Sequence, residues 1–271
     1  MSLELPKSEL HLFPTYHCNF TCKFCYQAEY KNSKVMDLKK LPEVLEGIKR
    51  DKQCEFSRVT LMGGELATLS DRYLDELMTI VESLNVPIQI FTNLWKIKPR
   101  LLDHAVFVSW DFDAREHHDE ILANMLSLDR KFDTSTVVSK KLLNMSMDEI
   151  VSFYSSIKNL DRAYFSFFKY NKFNGQMGTT FDQYLDFLER LQAYPKDFTV
   201  YQFSKPILSD KHFLRVDPYL NVNQNVGFDE KEKILTPACR ACPQLPYCEY
   251  YTLIKSQDSS KCRYRKILEN V

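Results

Sequence analysis

A chain of 271 residues, 44% hydrophobic and 27% charged, is long enough to bury a full core and has the composition of an ordinary globular protein. Its 36 Lys and Arg balance its 36 Asp and Glu, which argues against a dedicated nucleic-acid or anionic-membrane surface. No apolar run approaches the ~20 residues of a membrane span, and the N-terminus lacks the apolar core of a secretion signal, so a cytoplasmic protein with no membrane partner is expected.

The run at 10–16 (LHLFPTY) reads as a strand leading into Cys18-Asn19-Phe20-Thr21-Cys22-Lys23-Phe24-Cys25. Residues 36–49 carry apolar side chains at helical spacing, with Pro42 marking a later start. A second strand over 57–62 ends in Gly63-Gly64-Glu65. Ser70 then caps a helix with Leu74, Leu77, Met78, Val81 and Leu84 on one face. Strand three spans 86–92, a short helix 98–104, strand four 105–110 and a helix 120–128. Strand five is expected at 134–139, a helix capped by Ser146 at 147–157, strand six at 163–168 and a last helix at 180–194. Six strand–helix units call for parallel strands with crossover helices, in either an open doubly wound sheet or a barrel. Past Pro195 the rhythm stops; 198–203 and 212–216 read as short strands and 218–221 as a turn.

Seven of the eight cysteines fall in two clusters, a pattern that means metal more often than disulfide in a reducing compartment. Thiolates are soft ligands suited to zinc or iron–sulfur. A structural zinc takes four protein ligands, and the nearby fourth candidate, His17, is adjacent to Cys18 and poorly placed to share its ion. A cubane held by Cys18, Cys22 and Cys25 would leave one iron open to a small molecule, so iron–sulfur is the better fit and zinc the alternative. Cys239, Cys242, Cys248 and Cys262 complete a four-thiol set whose spacing leaves a zinc knuckle and an iron–sulfur site equally open. Cys54, just before strand two, is expected to be structural.

The C-x3-C-x2-C loop, the aromatic Phe24 before its third cysteine and the strand-end Gly63-Gly64-Glu65 together resemble the radical SAM superfamily. The resemblance covers most of the chain. It implies an α/β fold, a partial (β/α)6 TIM-type barrel over 1–194 with its chemistry at the C-terminal strand ends. It also implies that Cys18, Cys22 and Cys25 hold a [4Fe–4S] cluster whose open iron chelates S-adenosylmethionine (SAM). Reduction would then cleave SAM to methionine and a 5′-deoxyadenosyl radical; iron–sulfur potentials reach about −700 mV, low enough for that transfer. By the same resemblance, Gly63 and Gly64 let backbone approach the methionine moiety, Glu65 accepts from its ammonium, and Phe24 packs on the adenine. An ordinary turn and simple core packing are the plain alternatives for the glycines and for Phe24. Ser109-Trp110-Asp111 is similar to the family's Ser-x-Asp that meets ribose and carboxylate, with Phe112 in place of the usual glycine. Thr92-Asn93 is similar to its Thr-Asn-Gly with Leu94 in place of glycine, so Asn93 lines the cofactor site or caps a turn. His117-His118-Asp119 matches a frequent His-Asp of the subfamily, with a solvated helix start as the alternative.

Residues 195–271 resemble the C-terminal half of a SPASM or twitch extension. Thr252 and Asn223-Gln224 stand where a full SPASM domain has the thiols of one cluster. The resemblance therefore implies a single auxiliary [4Fe–4S] cluster on Cys239, Cys242, Cys248 and Cys262, relaying an electron. Such relatives mostly mature ribosomally made peptides (RiPPs). The implied activity is crosslinking or oxidation of a peptide substrate, with electrons from an external reductant such as flavodoxin or ferredoxin. A radical SAM dehydrogenase for a small molecule and a zinc-stabilised binding module are the rivals. No catalytic acid, base or radical-quenching residue stands out, although Tyr16, Tyr26, Asp113, Arg115 and Tyr170 lie near strand ends.

Overall fold

A computed structural model of the chain describes residues 5, 7–25, 27–112, 115–167, 178–201 and 212–224. Strands β1 Lys7–Leu12, β2 Glu55–Leu61, β3 Ile88–Thr92, β4 Ala105–Trp110, β5 Phe132–Val137, β6 Leu160–Ser166, β7 Thr199–Val200, β8 His212–Val216 and β9 Val222–Gln224 share one sheet. Their spatial order is β7-β6-β5-β4-β3-β2-β1-β8-β9. Every neighbouring pair is parallel except β8 with β9. From β1 to β7 the order never reverses. Right-handed crossovers in a sheet that grows in one direction keep the helices on one face, whereas a doubly wound sheet reverses at a switch point. The fold is thus the partial TIM-type barrel.

The helices are α1 Leu41–Lys52, α2 Asp71–Glu82, α3 Pro99–Leu102, α4 His118–Ser127, α5 Lys140–Asn144, α6 Met147–Ser155 and α7 Phe181–Ala193. Their starts are written in the sequence. Pro42 sits in the first turn of α1, where a missing N–H costs nothing. Ser70 accepts from the Tyr73 N–H, and Ser146 with Glu149 and Thr180 with Gln183 form reciprocal capping boxes. Strand alternation sends Leu10, Leu12, Val59, Leu61, Ile88 and Ile90 into an aliphatic core with α1 and α2. It sends Val106, Val108, Trp110, Ala163 and Phe165 into a second core with α4, α6 and α7. Side chains of the opposite phase, on the other sheet face, pair among themselves: Thr60 donates to Glu9 at 2.7 Å and Phe91 stacks on Phe107 at 4.9 Å.

Several boundaries differ from the sequence reading. The first strand is Lys7–Leu12 rather than 10–16, because past Leu12 the chain leaves the sheet through Pro14, and Thr15 bridges Val35 instead. The fifth starts at Phe132, two residues early; Asp133, a poor strand former, is neutralised there by Arg162 on β6 at 2.6 Å. The sixth is Leu160–Ser166, and the strand expected at 198–203 is reduced to Thr199–Val200 among the described residues. The short helix α5 and the 3-10 turns Ala28–Tyr30 and Leu66–Thr68 went unseen. Thr199–Val200 and the β8–β9 hairpin, which follow residue 194, extend the same sheet on both sides. Tyr26, Asp113, Phe168, Tyr170, Thr252, Cys239, Cys242, Cys248 and Cys262 lie outside the described residues. Among those described, no helix is long and apolar enough to cross a membrane.

Candidate cluster and cofactor site

Parallel strands bring their C-terminal ends to one edge of the sheet, and four segments meet there: the cysteine loop after β1, Gly63-Gly64-Glu65 after β2, Thr92-Asn93 closing β3, and Ser109 to Asp111 closing β4. The cysteine loop is strapped on two sides. Thr15 donates its Oγ1 to the Lys34 carbonyl at 2.9 Å, and the Met36 N–H donates to Pro14 at 2.8 Å. On the other side, the Gly64 and Glu65 N–H groups donate to the carbonyls of Thr15 and His17, both at 2.8 Å. This explains the glycine pair physically. A methyl at Gly64 would lie 1.8 Å from the His17 carbonyl oxygen, and one at Gly63, whose φ is +130°, 2.5 Å from that of Thr15. In the structure the close approach the glycines permit is that of the cysteine loop itself.

Glu65 is buried, and its carboxylate ties the end of β2 to the end of β3. Oε1 accepts from Thr92 Oγ1 at 2.7 Å and from the Ala67 N–H at 3.0 Å; Oε2 accepts from the Asn93 N–H at 2.6 Å. Burial pushes this carboxyl above its usual range, and the three hydrogen bonds work against that rise. Asn93 caps the turn, its Oδ1 accepting from the Trp95 N–H at 3.0 Å, and its Nδ2 donates to Oδ1 of Asn19, beside Cys18, at 2.9 Å. Leu94 stands where the family has glycine and adopts a left-handed φ of 55°. Its carbonyl is held by the Asn124 amide at 2.9 Å.

Among the described residues, Asp111 and Arg115 form the most deeply buried ion pair at this edge. Arg115 Nε donates to Asp111 Oδ2 at 2.6 Å, with the two side chains 6% and 1% exposed. The guanidinium lies 5.9 Å from the ring centres of both Phe20 and Phe24. Phe20 also stacks on His117 at 5.7 Å, and His117 meets Trp95 at 5.3 Å. Asp111 raises the His118 imidazole above its usual value, although Nε2 lies 3.9 Å from Oδ1, an ion-pair neighbour beyond hydrogen-bond length. Burial pushes the Cys18 thiol up, and pushes Cys22 up to about 11 against the pull of Arg115. Ser109 is half-buried on β4, opposite Ser135. On the far flank, the Tyr16 hydroxyl accepts from Arg215 of β8 at 2.5 Å, and that guanidinium stacks 4.1 Å above the Phe13 ring.

The family model described as the Radical SAM superfamily matches residues 12–105, the span that holds the cysteine loop, Glu65 and Asn93. Over that span the chain is similar to the radical SAM superfamily. Solved structures share its fold at low identity. SuiB of Streptococcus suis bound to S-adenosylmethionine matches with TM-score 0.60 and 16% identity, over 94% of this chain and 76% of that one. SuiB bound to precursor peptide SuiA matches with TM-score 0.64 and 16% identity, over 96% and 75%. Native anSMEcpe with bound AdoMet and Cp18Cys peptide matches with TM-score 0.67 and 12% identity, over 97% and 95%. No curated protein sequence matches the chain.

A domain of that superfamily would hold a [4Fe–4S] cluster and SAM, and the residues present fit the cluster. Three thiols share one loop, turned by the Cys25 N–H donating to the Cys22 carbonyl at 3.1 Å, and lie close enough to feel one another's charge. Among the described residues no three Cys, His, Asp or Glu side chains close around a single point; cluster thiolates bind separate irons. Cys54 is buried in the aliphatic core, in keeping with a structural role. The sequence reading overlooked Thr15, Asn19, Phe20 and Trp95, which carry no motif. It named Arg115 without a partner, although its place four residues after Asp111 was a usable signal.

Proposed function

We propose that this chain is a radical SAM enzyme that crosslinks or oxidises a peptide, with residues 1–194 as the barrel and 195–271 as an auxiliary-cluster domain. In this reading Cys18, Cys22 and Cys25 hold the SAM-binding [4Fe–4S] cluster and Cys239, Cys242, Cys248 and Cys262 the second one. Bound there, cluster and SAM would supply radical chemistry able to take hydrogen from unactivated carbon. The chain's own residues orient and shield. The backbone of Gly63 and Gly64 seats the cysteine loop, and Glu65 and Asn93 fix its distance from β3. Ser109, Asp111 and Phe24 frame the side where ribose and adenine would lie. A flavodoxin or ferredoxin would deliver electrons in the cytoplasm.

The observation that carries the reading is the doubled backbone clamp between the three-thiol loop and Gly63-Gly64-Glu65, at the strand end where barrel chemistry sits. Peptides in the SuiB and anSMEcpe structures of the same fold support the substrate class. The test is anaerobic reconstitution with iron and sulfide, then incubation with SAM, reductant and candidate peptides. 5′-Deoxyadenosine and a peptide mass shift should appear together. Cys22→Ala should abolish both, and Cys242→Ala should spare SAM cleavage while losing product. Colourless protein with stoichiometric zinc would overturn the reading.

A further inference from the structure

Arg115 is a full charge hidden at the edge of the sheet. Its side chain is 6% exposed, and Asp111, its 2.6 Å partner, is 1% exposed. Burying such a pair carries a heavy desolvation cost, and stability alone rarely favours it over apolar packing. Its surroundings suggest what it serves. The two rings that flank its guanidinium, each 5.9 Å away, belong to Phe20 and Phe24, two residues before and two after Cys22. The cation is therefore gripped by the cysteine loop itself, around the middle thiol.

A [4Fe–4S] cluster becomes more negative by one charge when it takes up an electron, and its potential follows local charge, burial and hydrogen bonding. We propose that Arg115 is the fixed counter-charge of the cluster on Cys18, Cys22 and Cys25, a positioning and potential-setting residue held by Phe20, Phe24 and Asp111. This rests on the radical SAM reading. The positive field favours the reduced form, so a milder external reductant suffices to load the electron. Asp111 keeps the guanidinium in place; on this account its carboxylate acts through Arg115.

The test is an EPR-monitored redox titration, without SAM, of the anaerobically reconstituted protein, its Arg115→Gln and Arg115→Lys variants, and the Asp111→Asn/Arg115→Gln double variant. The double variant removes the pair without stranding a buried carboxylate. Arg115→Gln should hold about tenfold less reduced cluster at a fixed potential, equal to about 59 mV for a one-electron couple, and the double variant a smaller deficit, because it also removes the opposing charge of Asp111. Arg115→Lys should stay within about twofold of the parent. Cluster loss from the neutral variants alone, with the lysine variant loaded, also supports the charge. Unshifted titration of loaded Arg115→Gln overturns the inference and leaves the radical SAM reading standing. Loss of cluster from all three variants assigns Arg115 to packing and overturns it too. Absence of any cluster from the parent protein overturns the reading and the inference together.

Discussion

Against β1, β2 and β3 the helices pack leucine, isoleucine, valine and methionine, whereas β4, β5 and β6 are covered by interlocking rings. Trp110 stacks on Phe153 at 5.0 Å, and Tyr154 meets Phe165 edge-on at 5.2 Å. Even the buried polar groups differ: in the second half Tyr154 and Thr136 share a hydroxyl bond inside the core. The cysteine loop belongs to both halves. Its backbone is fastened to the aliphatic side through Gly64 and Glu65, yet Phe20, Cys18 and Cys22 pack on the aromatic side. The candidate site thus lies on a seam, positioned by backbone hydrogen bonds from one half and by side-chain packing from the other. A change in either half should move it in a different way.

The largest effect is expected from Gly64→Ala. Its methyl would need the room occupied by the His17 carbonyl, 1.8 Å away, a clash with backbone that exceeds ordinary overpacking costs of ~1–3 kcal/mol. Iron per chain after reconstitution should fall to background; full loading would show that the clamp does not set the loop. Phe165→Ala sharpens the contrast from the other side. Removing this fully buried ring should cost about 3–5 kcal/mol in denaturant unfolding, while the folded fraction keeps its iron stoichiometry because the clamp is untouched.

Leu94→Gly probes the seam itself. Glycine relieves the left-handed strain, about 1–2 kcal/mol, but deletes a leucine that is 1% exposed, worth about 2–5 kcal/mol. Burial outweighs strain, so a net loss of about 2 kcal/mol, at the middle of the two ranges, is expected; a net gain would show that the leucine packs poorly.

The smallest effect separates the halves by pH. In the first half, burial pushes the Glu9 carboxyl up, but bonds from His11 and Thr60 and the charge of Arg58 bring it below its ordinary value of 4.5. Its contribution to stability is present above that value and disappears as pH falls through the folded pKa. In the second half, Asp111 raises His118 above 6.5, against desolvation and the charge of Arg115. That contribution is complete below 6.5 and disappears as pH rises through the folded pKa. Amide exchange should therefore loosen β1 and β2 first in acid and α4 first in mild alkali, and Glu9→Gln and His118→Gln should each flatten one limb.

Much of the fold could be read from the chain because its signals are local. Ser70, Ser146 and Thr180 cap their helices, Pro42 marks the first turn of α1, and β4 spans the residues its alternation indicated. What escaped was decided across the sheet. Asp133 enters β5 because Arg162 lies on the next strand, and nothing near Asp133 in sequence announces that. The cysteine motif pointed to the candidate site, yet the seating of the cysteine loop by Gly63 and Gly64 could not be read from the chain, since which backbone they admit depends on β1 and β2 lying side by side. Arg115, Phe20 and Phe24 meet only after that packing is complete.

The pairing of β1 with β8 has a consequence for synthesis. Partners such as Ser8 and His212 are about 200 residues apart. At roughly 5–20 residues per second, a ribosome needs on the order of 10–40 s to make the missing neighbour. Throughout that interval the first strand offers an unprotected border to other nascent chains, a hazard for self-association. Shielding by a chaperone should matter most before the β8–β9 hairpin emerges.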